Sequence, residues 1–121
     1  MKVLLHIYKN TLNFEGRASR REAVYYLIHM LLIVGVLVWM DFHFNLIDPD
    51  WGIGPCTGIF SMLIFLTNLS FTIRRLHDTD LSGWWFLINY VPLVGPFISL
   101  WLMLQAGTPG DNRFGPPPAR I

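Results

Sequence analysis

Three long stretches of the chain carry no Lys, Arg, Asp or Glu: residues 23–40, 51–73 and 81–110. The charges sit in the stretches around and between them. A soluble domain wets each helix on one face, so charge would recur inside runs of this length. Its absence points to a bilayer, where a helical span needs about 20 apolar residues. The pattern predicts a first span over 23–40, with Tyr25 and Tyr26 at interface depth, and a second over 53–73. Ser19 and Glu22 have capping-box spacing just before the first run, Ser19 as the cap and Glu22 reaching back. Gly16 permits a turn ahead of them. Asp48-Pro49 breaks any helix between the spans.

Polarity is ordered within these elements too. On a helix over residues 1–13, Met1, Leu4, Leu5, Tyr8 and Leu12 share one face, and Lys2, His6, Lys9 and Asn13 the other. That predicts an amphipathic helix lying on the membrane surface. In the second span Gly54, Thr57, Ser61, Asn68, Thr72 and Arg75 fall within a sector of about 60° at the helical repeat. Such a stripe of small and polar residues is expected to pack against other helices. The third apolar run, 84–104, is interrupted by VPLVGP. Pro92 and Pro96 each remove a backbone donor, and Gly95 loosens the chain between them. A continuous helix of this length reaches about 31 Å, enough to cross once. The run is therefore either one kinked span or a re-entrant pair of half-helices. Gly- and Pro-rich residues 105–121 read as a polar tail.

Composition adds limits. A length of 121 residues makes one membrane domain over 1–121. The hydrophobic share is 53% and the charged share 14%, against about 25% charged in soluble proteins, which reinforces the membrane reading. Cys56 is the sole cysteine, so no internal disulfide staples the fold. The opening MKVLLHIYKN loses its apolar run at His6, Lys9 and Asn10, and no small-residue cleavage site follows, so it reads as retained. Five Lys or Arg precede the first span, none lie in the first loop, Arg74 and Arg75 lie in the second, and Arg113 and Arg120 in the tail. The positive-inside rule puts the N-terminus and the second loop in the cytoplasm. A through-going third segment would put the tail outside. A re-entrant one would keep it inside, and the charge count leans that way.

Three polar stretches recur between the apolar runs: FEGRASRREA, RRLHDTDLSGWW and GTPGDNRFGP. In this order and spacing they resemble the bacterial "domain of unknown function 805" family of small inner-membrane proteins, over about residues 13–118. The resemblance carries over Phe14, Gly16, Arg17, Arg20 and Glu22 in the first motif. In the second it carries over Arg74, Arg75, Leu76, His77, Asp78, Thr79, Ser82, Gly83 and Trp84. In the third it carries over Gly107, Thr108, Gly110, Asn112, Arg113, Phe114, Gly115 and Pro116. Two departures stand out. Ala23-Val24 occupy the place of an aromatic pair, and HDTDLS replaces the usual HDTGRS, exchanging a glycine and a positive charge for Asp80 and Leu81. The resemblance implies an all-α integral protein of the bacterial inner membrane, which the apolar runs and the charge count make multi-pass with a cytoplasmic N-terminus. It supplies no activity.

The charged residues admit two accounts. Arg74 and Arg75 are also topology signals, Asp78 stands four residues after Arg74 and pairs with it on one helix face, and Ser82 and Trp84 suit a cap and an aromatic belt. That ordinary account is favoured for the turn alone. The alternative is a cytoplasmic-side site built on Arg17, Arg20, Arg74, Arg75, His77, Asp78, Asn112 and Arg113. Forked arginine donors suit phosphate or carboxylate, so it would bind an anionic lipid headgroup, a phosphate-bearing ligand or an acidic partner segment. Phe14, Gly16, Ser19, Glu22, Gly83, Trp84, Gly107, Gly110, Phe114 and Gly115 would frame it.

No nucleophile elbow, metalloprotease helix or P-loop spacing is present, and His6, His29, His43 and His77 lack metal-ligand spacing. Hence no catalytic residue, metal or cofactor is expected, and the chain reads as non-enzymatic. His29, inside the first span, reads as structural, hydrogen-bonded to Tyr25 or Asn68. The expected partners are membrane lipids, with a protein partner or a second copy also in view and no nucleic acid. A small transporter or channel using the broken third segment is the alternative, although no Asp, Glu, Lys or Arg lies within the spans. A membrane-embedded enzyme is the third reading.

Overall fold

The computed structural model describes residues 1–118; Arg120, counted above for topology, lies outside them. Among the described residues all regular structure is helical, apart from one isolated bridge between Asn112 and Gly115. Helix α1 spans Lys2–Lys9, α2 Arg20–His43 and α3 Pro55–Asp78. A 3-10 helix, Gly83–Tyr90, and helix α4, Gly95–Met103, follow. The chain divides into two compact units: Met1–Tyr26 with the residues from Leu66 onward, and Leu27–Phe65. Helices α2 and α3 contribute to both.

The two long helices have 24 residues each. At 1.5 Å per residue each reaches about 36 Å, longer than a hydrocarbon core of about 30 Å. Their surfaces are apolar. Leu31, Leu32 and Val36 of α2 are exposed, as are Met62 and Leu63 of α3. In water these side chains would need a partner, whereas lipid supplies one without further protein. The capping box forms as its spacing requires: Ser19 N–H donates to Glu22 Oε2 at 2.9 Å, and Glu22 N–H to Ser19 Oγ at 3.1 Å.

In the unit of residues 27–65, α3 acquires its cap from α2. Asp41, almost fully buried, accepts from the N–H groups of Cys56 (3.1 Å) and Thr57 (2.9 Å) and from the Thr57 hydroxyl (2.7 Å). A carboxylate here satisfies orphan donors and meets the positive end of the helix dipole. Asp48 closes the turn before it, with Oδ1 accepting from Asp50 N–H at 2.8 Å.

In the other unit the broken third run folds as a hairpin. The 3-10 helix of eight residues and α4 of nine each reach about 14–16 Å, so neither crosses a bilayer alone. Leu93 takes a φ of 68° at the turn. Gly95 lies so close to the Ile88 carbonyl that a Cβ there would collide with it. Both ends return to the same turn of α3: Gly83 packs on Ile73, and Arg75 donates to the Met103 and Gln105 carbonyls. The run thus forms two short helices packed on each other and not one continuous helix.

The polar stripe expected on the second span packs along only part of its length. Thr72 and Arg75 are buried, but Ser61 and Asn68 are exposed. Ser61 turns its hydroxyl back onto the Thr57 carbonyl at 2.8 Å instead. A helical wheel gives the direction of a face, not how far a neighbour extends along it.

Candidate functional site

The last turn of α3 must satisfy its own carbonyls, since a helix end leaves several without intrahelical donors. It does so by binding the two other polar motifs. Thr108 N–H donates to the Asp78 carbonyl at 2.7 Å, and Asn112 Nδ2 to the His77 carbonyl at 2.9 Å. The tail thereby lies against α3. Gly107 is required at this point, because a Cβ would run into the Asp78 carboxylate.

Two buried arginines lock the arrangement. Arg17 Nε donates to Asp78 Oδ1 at 3.0 Å, its Nη1 to the Gly110 carbonyl at 2.6 Å and its Nη2 to the Thr108 carbonyl at 2.5 Å. Arg75 Nη1 donates to Asp78 Oδ2 at 2.5 Å and to the Ala18 carbonyl at 3.3 Å. Its Nε donates to the Met103 carbonyl at 2.7 Å, and its Nη2 to that of Gln105. One carboxylate thus stands between two guanidinium groups, all nearly excluded from solvent. A buried charge is tolerated only when paired and fully hydrogen-bonded, and backbone carbonyls supply what Asp78 cannot.

The ring of His77 stacks on Phe114, with centroids 3.9 Å apart and planes 4° from parallel. His77 Nδ1 stands 3.1 Å from the Gly16 carbonyl, to which its N–H tautomer donates. Asp80 has a φ of 60°, a conformation that favours the glycine usual in HDTGRS, and pairs at the exposed rim with Arg113 at 3.2 Å.

All eight candidate residues therefore belong to one compact unit, and seven of them touch or adjoin this end of α3. They are not equally available. Arg17, Arg75 and Asp78 are consumed in the clasp, His77 and Asn112 hold the N-terminal loop and the tail, and Arg113 holds Asp80. Arg20, the eighth, is exposed in the first turn of α2. Asp78 pairs with Arg75 and Arg17, not with Arg74 as its spacing implied. Arg74 is buried, and its Nε and Nη2 find no hydrogen-bond partner among the described residues. Trp84 is mostly exposed. Ser82 accepts from Trp84 N–H at 3.4 Å, as a cap would.

Sequence reasoning missed Ala18, whose N–H donates to the Arg74 carbonyl at 3.0 Å and whose own carbonyl accepts from Arg75. It also missed His6, 3.6 Å from Glu22, and Thr11, whose hydroxyl meets that of Thr67 at 2.8 Å. Backbone partners leave no trace in side-chain identity. The i,i+3 spacing of Arg75 and Asp78 was the one available signal for the clasp. No group of His, Cys, Asp and Glu that could hold a metal ion occurs among the described residues.

Among the described residues the regular elements are helices, two of them long and apolar enough to span, with charge gathered at helix ends, the make-up expected of an all-α integral membrane protein. The chain belongs to the family described as "Protein of unknown function (DUF805)", whose model matches residues 11–116. It is 40% identical over 120 residues to the inner membrane protein YhaH of Escherichia coli K12, covering 94% of this chain and 93% of that one. It is 37% identical over 121 residues to the inner membrane protein YhaI of the same strain, covering 98% and 96%. No solved structure matches. The chain is thus an integral inner-membrane protein.

Proposed function

We propose that this chain is a non-enzymatic, multi-pass membrane module that engages anionic lipid headgroups at the cytoplasmic leaflet. In this reading α2 and α3 cross the bilayer and α1 lies at its surface. The hairpin of the 3-10 helix and α4 re-enters from the cytoplasmic side, and its ends are tied down by the clasp. The convergence of the three polar motifs on one end of α3 carries the reading. It supports a tail on the same side as the N-terminal segment, where the positive-inside rule puts the cytoplasm.

The clasp consumes Arg17 and Arg75, so headgroup contact falls to the cations outside it. Lys2, Lys9, Arg20 and Arg21 are exposed on α1 and at the start of α2. Each basic residue near an anionic surface contributes about 1 kcal/mol, screened by salt.

The test combines topology with lipid preference. In a Cys56→Ser background, Asp111→Cys should resist a membrane-impermeant thiol reagent on intact cells and react in inverted vesicles. Purified protein in mixed vesicles should enrich phosphatidylglycerol over phosphatidylcholine in its lipid shell, and Arg20→Gln with Arg21→Gln should reduce the enrichment. Labelling of the Asp111→Cys protein on intact cells, or enrichment indifferent to both salt and the two arginine substitutions, refutes the reading.

A further inference from the structure

Three arginines are buried around this end of α3, and they differ in one respect. Arg17 and Arg75 donate from every guanidinium nitrogen. Arg74, only 3% exposed, leaves Nε and Nη2 buried and unbonded among the described residues. Those two nitrogens form the edge of the guanidinium whose N–H bonds run parallel, the fork that matches two oxygens of a phosphate or carboxylate. Leaving such donors unmade in the interior is costly.

Glu22 does not fill the fork. Glu22 is buried, but its Oε2 accepts from Ser19 N–H, and its Oε1 faces His6 Nε2 at 3.6 Å. A second unsatisfied donor lies on the same side. Tyr26, one turn along α2 from Glu22, has a buried hydroxyl with no partner among the described residues. Its ring lies 4.6 Å from Phe71, which is three residues before Arg74 and on the same face of α3. Glu22 and Tyr26 from α2, with Phe71 and Arg74 from α3, therefore bound one interior region holding unspent donors from both helices.

We propose that Arg74 is the receptor for the phosphate group of an anionic ligand, admitted beneath α1. The proposal rests on the reading of this face as headgroup-binding and names the group that does it. Helix α1 is the element that opens the site. It is tied to the helices on either side, by its His6 to Glu22 and, just past its end, by Thr11 to Thr67, two turns before Arg74 on α3. It has eight residues, too few to be stable alone, and buries Val3 and Ile7 against the rest of its unit. In this proposal its displacement gives a ligand access to the Arg74 fork. A phosphate seated there accepts from Nε and Nη2 together, with the Tyr26 hydroxyl as a third donor. Lipid phosphate and free phosphate share this chemistry.

The test uses the full-length chain in nanodiscs, with arginine side chains labelled for nitrogen NMR. Phosphatidylglycerol discs are compared with phosphatidylcholine discs, and the latter again with added inorganic phosphate. The Arg74 Nε–H signal should move in phosphatidylglycerol. One such lipid per chain should survive a high-salt wash in native mass spectrometry, with about tenfold preference over phosphatidylcholine that falls several-fold in Arg74→Lys, which keeps the charge but loses the fork. A shift with inorganic phosphate alone supports the site and assigns it to a soluble ligand. An unmoved Arg74 signal in all three conditions overturns the proposal even if the variants fail to fold. So does equal retention by Arg74→Lys and Arg74→Gln, or an Arg74→Gln protein more stable than the parent with unchanged lipid. The salt-resistant lipid separates this site from the salt-sensitive shell. Losing the shell through Arg20 and Arg21 while one lipid stays on Arg74, or the reverse, shows which reading has failed.

Discussion

Replacing Asp78 by Asn keeps the shape of the side chain and one acceptor oxygen while removing the carboxylate that Arg17 and Arg75 share. In the parent, each of its oxygens takes an arginine, at 3.0 Å and 2.5 Å, and all three side chains are at most 4% exposed. The substitution leaves two buried cations close together without that counter-charge. Breaking a buried pair from one side costs about 3–5 kcal/mol, and the carbonyls that still bind both arginines put the expectation at the lower end, about 3 kcal/mol. That corresponds to more than a hundredfold in the unfolding equilibrium. The assay is reversible unfolding in mixed detergent micelles, paired with hydrogen exchange over residues 106–116. Asp78→Asn should lower stability by this amount and deprotect the tail amides. The control is Asp80→Asn, which removes the pair to Arg113, whose side chains are 43% and 63% exposed. An exposed pair of this kind contributes about 0–1 kcal/mol. If the two variants lose equal stability, or if Asp78→Asn leaves the tail protected, the clasp does not hold the tail and the account of its energetics is wrong.

Two further substitutions test the elements around the clasp. Ser19→Ala removes the side-chain half of the capping box and should cost about 1 kcal/mol, read as fraying of the first turn of α2 by hydrogen exchange. Gly95→Ala drives a methyl group into the Ile88 carbonyl and should separate α4 from the 3-10 helix, at about 2 kcal/mol or more, read as faster proteolysis within Val91–Val94 in detergent.

How much of this could be read from the chain depended on the kind of partner each residue has. Apolar runs interrupted by charge declare α2 and α3, since a bilayer accepts few other patterns. Ser19 and Glu22 declare their cap, since each of its two bonds needs a particular side-chain oxygen at fixed spacing from the N–H it meets. The hairpin was legible as one of two alternatives, because Pro92, Gly95 and Pro96 fix where the helix breaks but not whether the chain turns back. The clasp was only half visible. Arg17 and Arg75 find most of their partners among the carbonyls of Ala18, Met103, Gln105, Thr108 and Gly110, which every sequence possesses. Asp41 escaped notice for a related reason: it caps a helix that begins 14 residues further on, and ordinary caps are adjacent. The difference among the three arginines, two satisfied and one not, exists only in three dimensions.

The clasp also imposes an order of assembly. Arg17 meets Asp78 across 61 positions, but its carbonyl partners lie 91 and 93 positions away. During synthesis the carboxylate therefore arrives first, when α3 is complete, and cancels part of the charge of Arg17 and Arg75. The remaining donors of Arg17 and Arg75 stay hydrated until the hairpin and the tail have been made. Such long-range closure is slow, and it comes last. The far end of the hairpin is consequently unheld until the Met103 and Gln105 carbonyls reach Arg75, and the tail closes on Arg17 after that. A chain stalled or cut within the tail would keep both long helices and leave this end of α3 open to water.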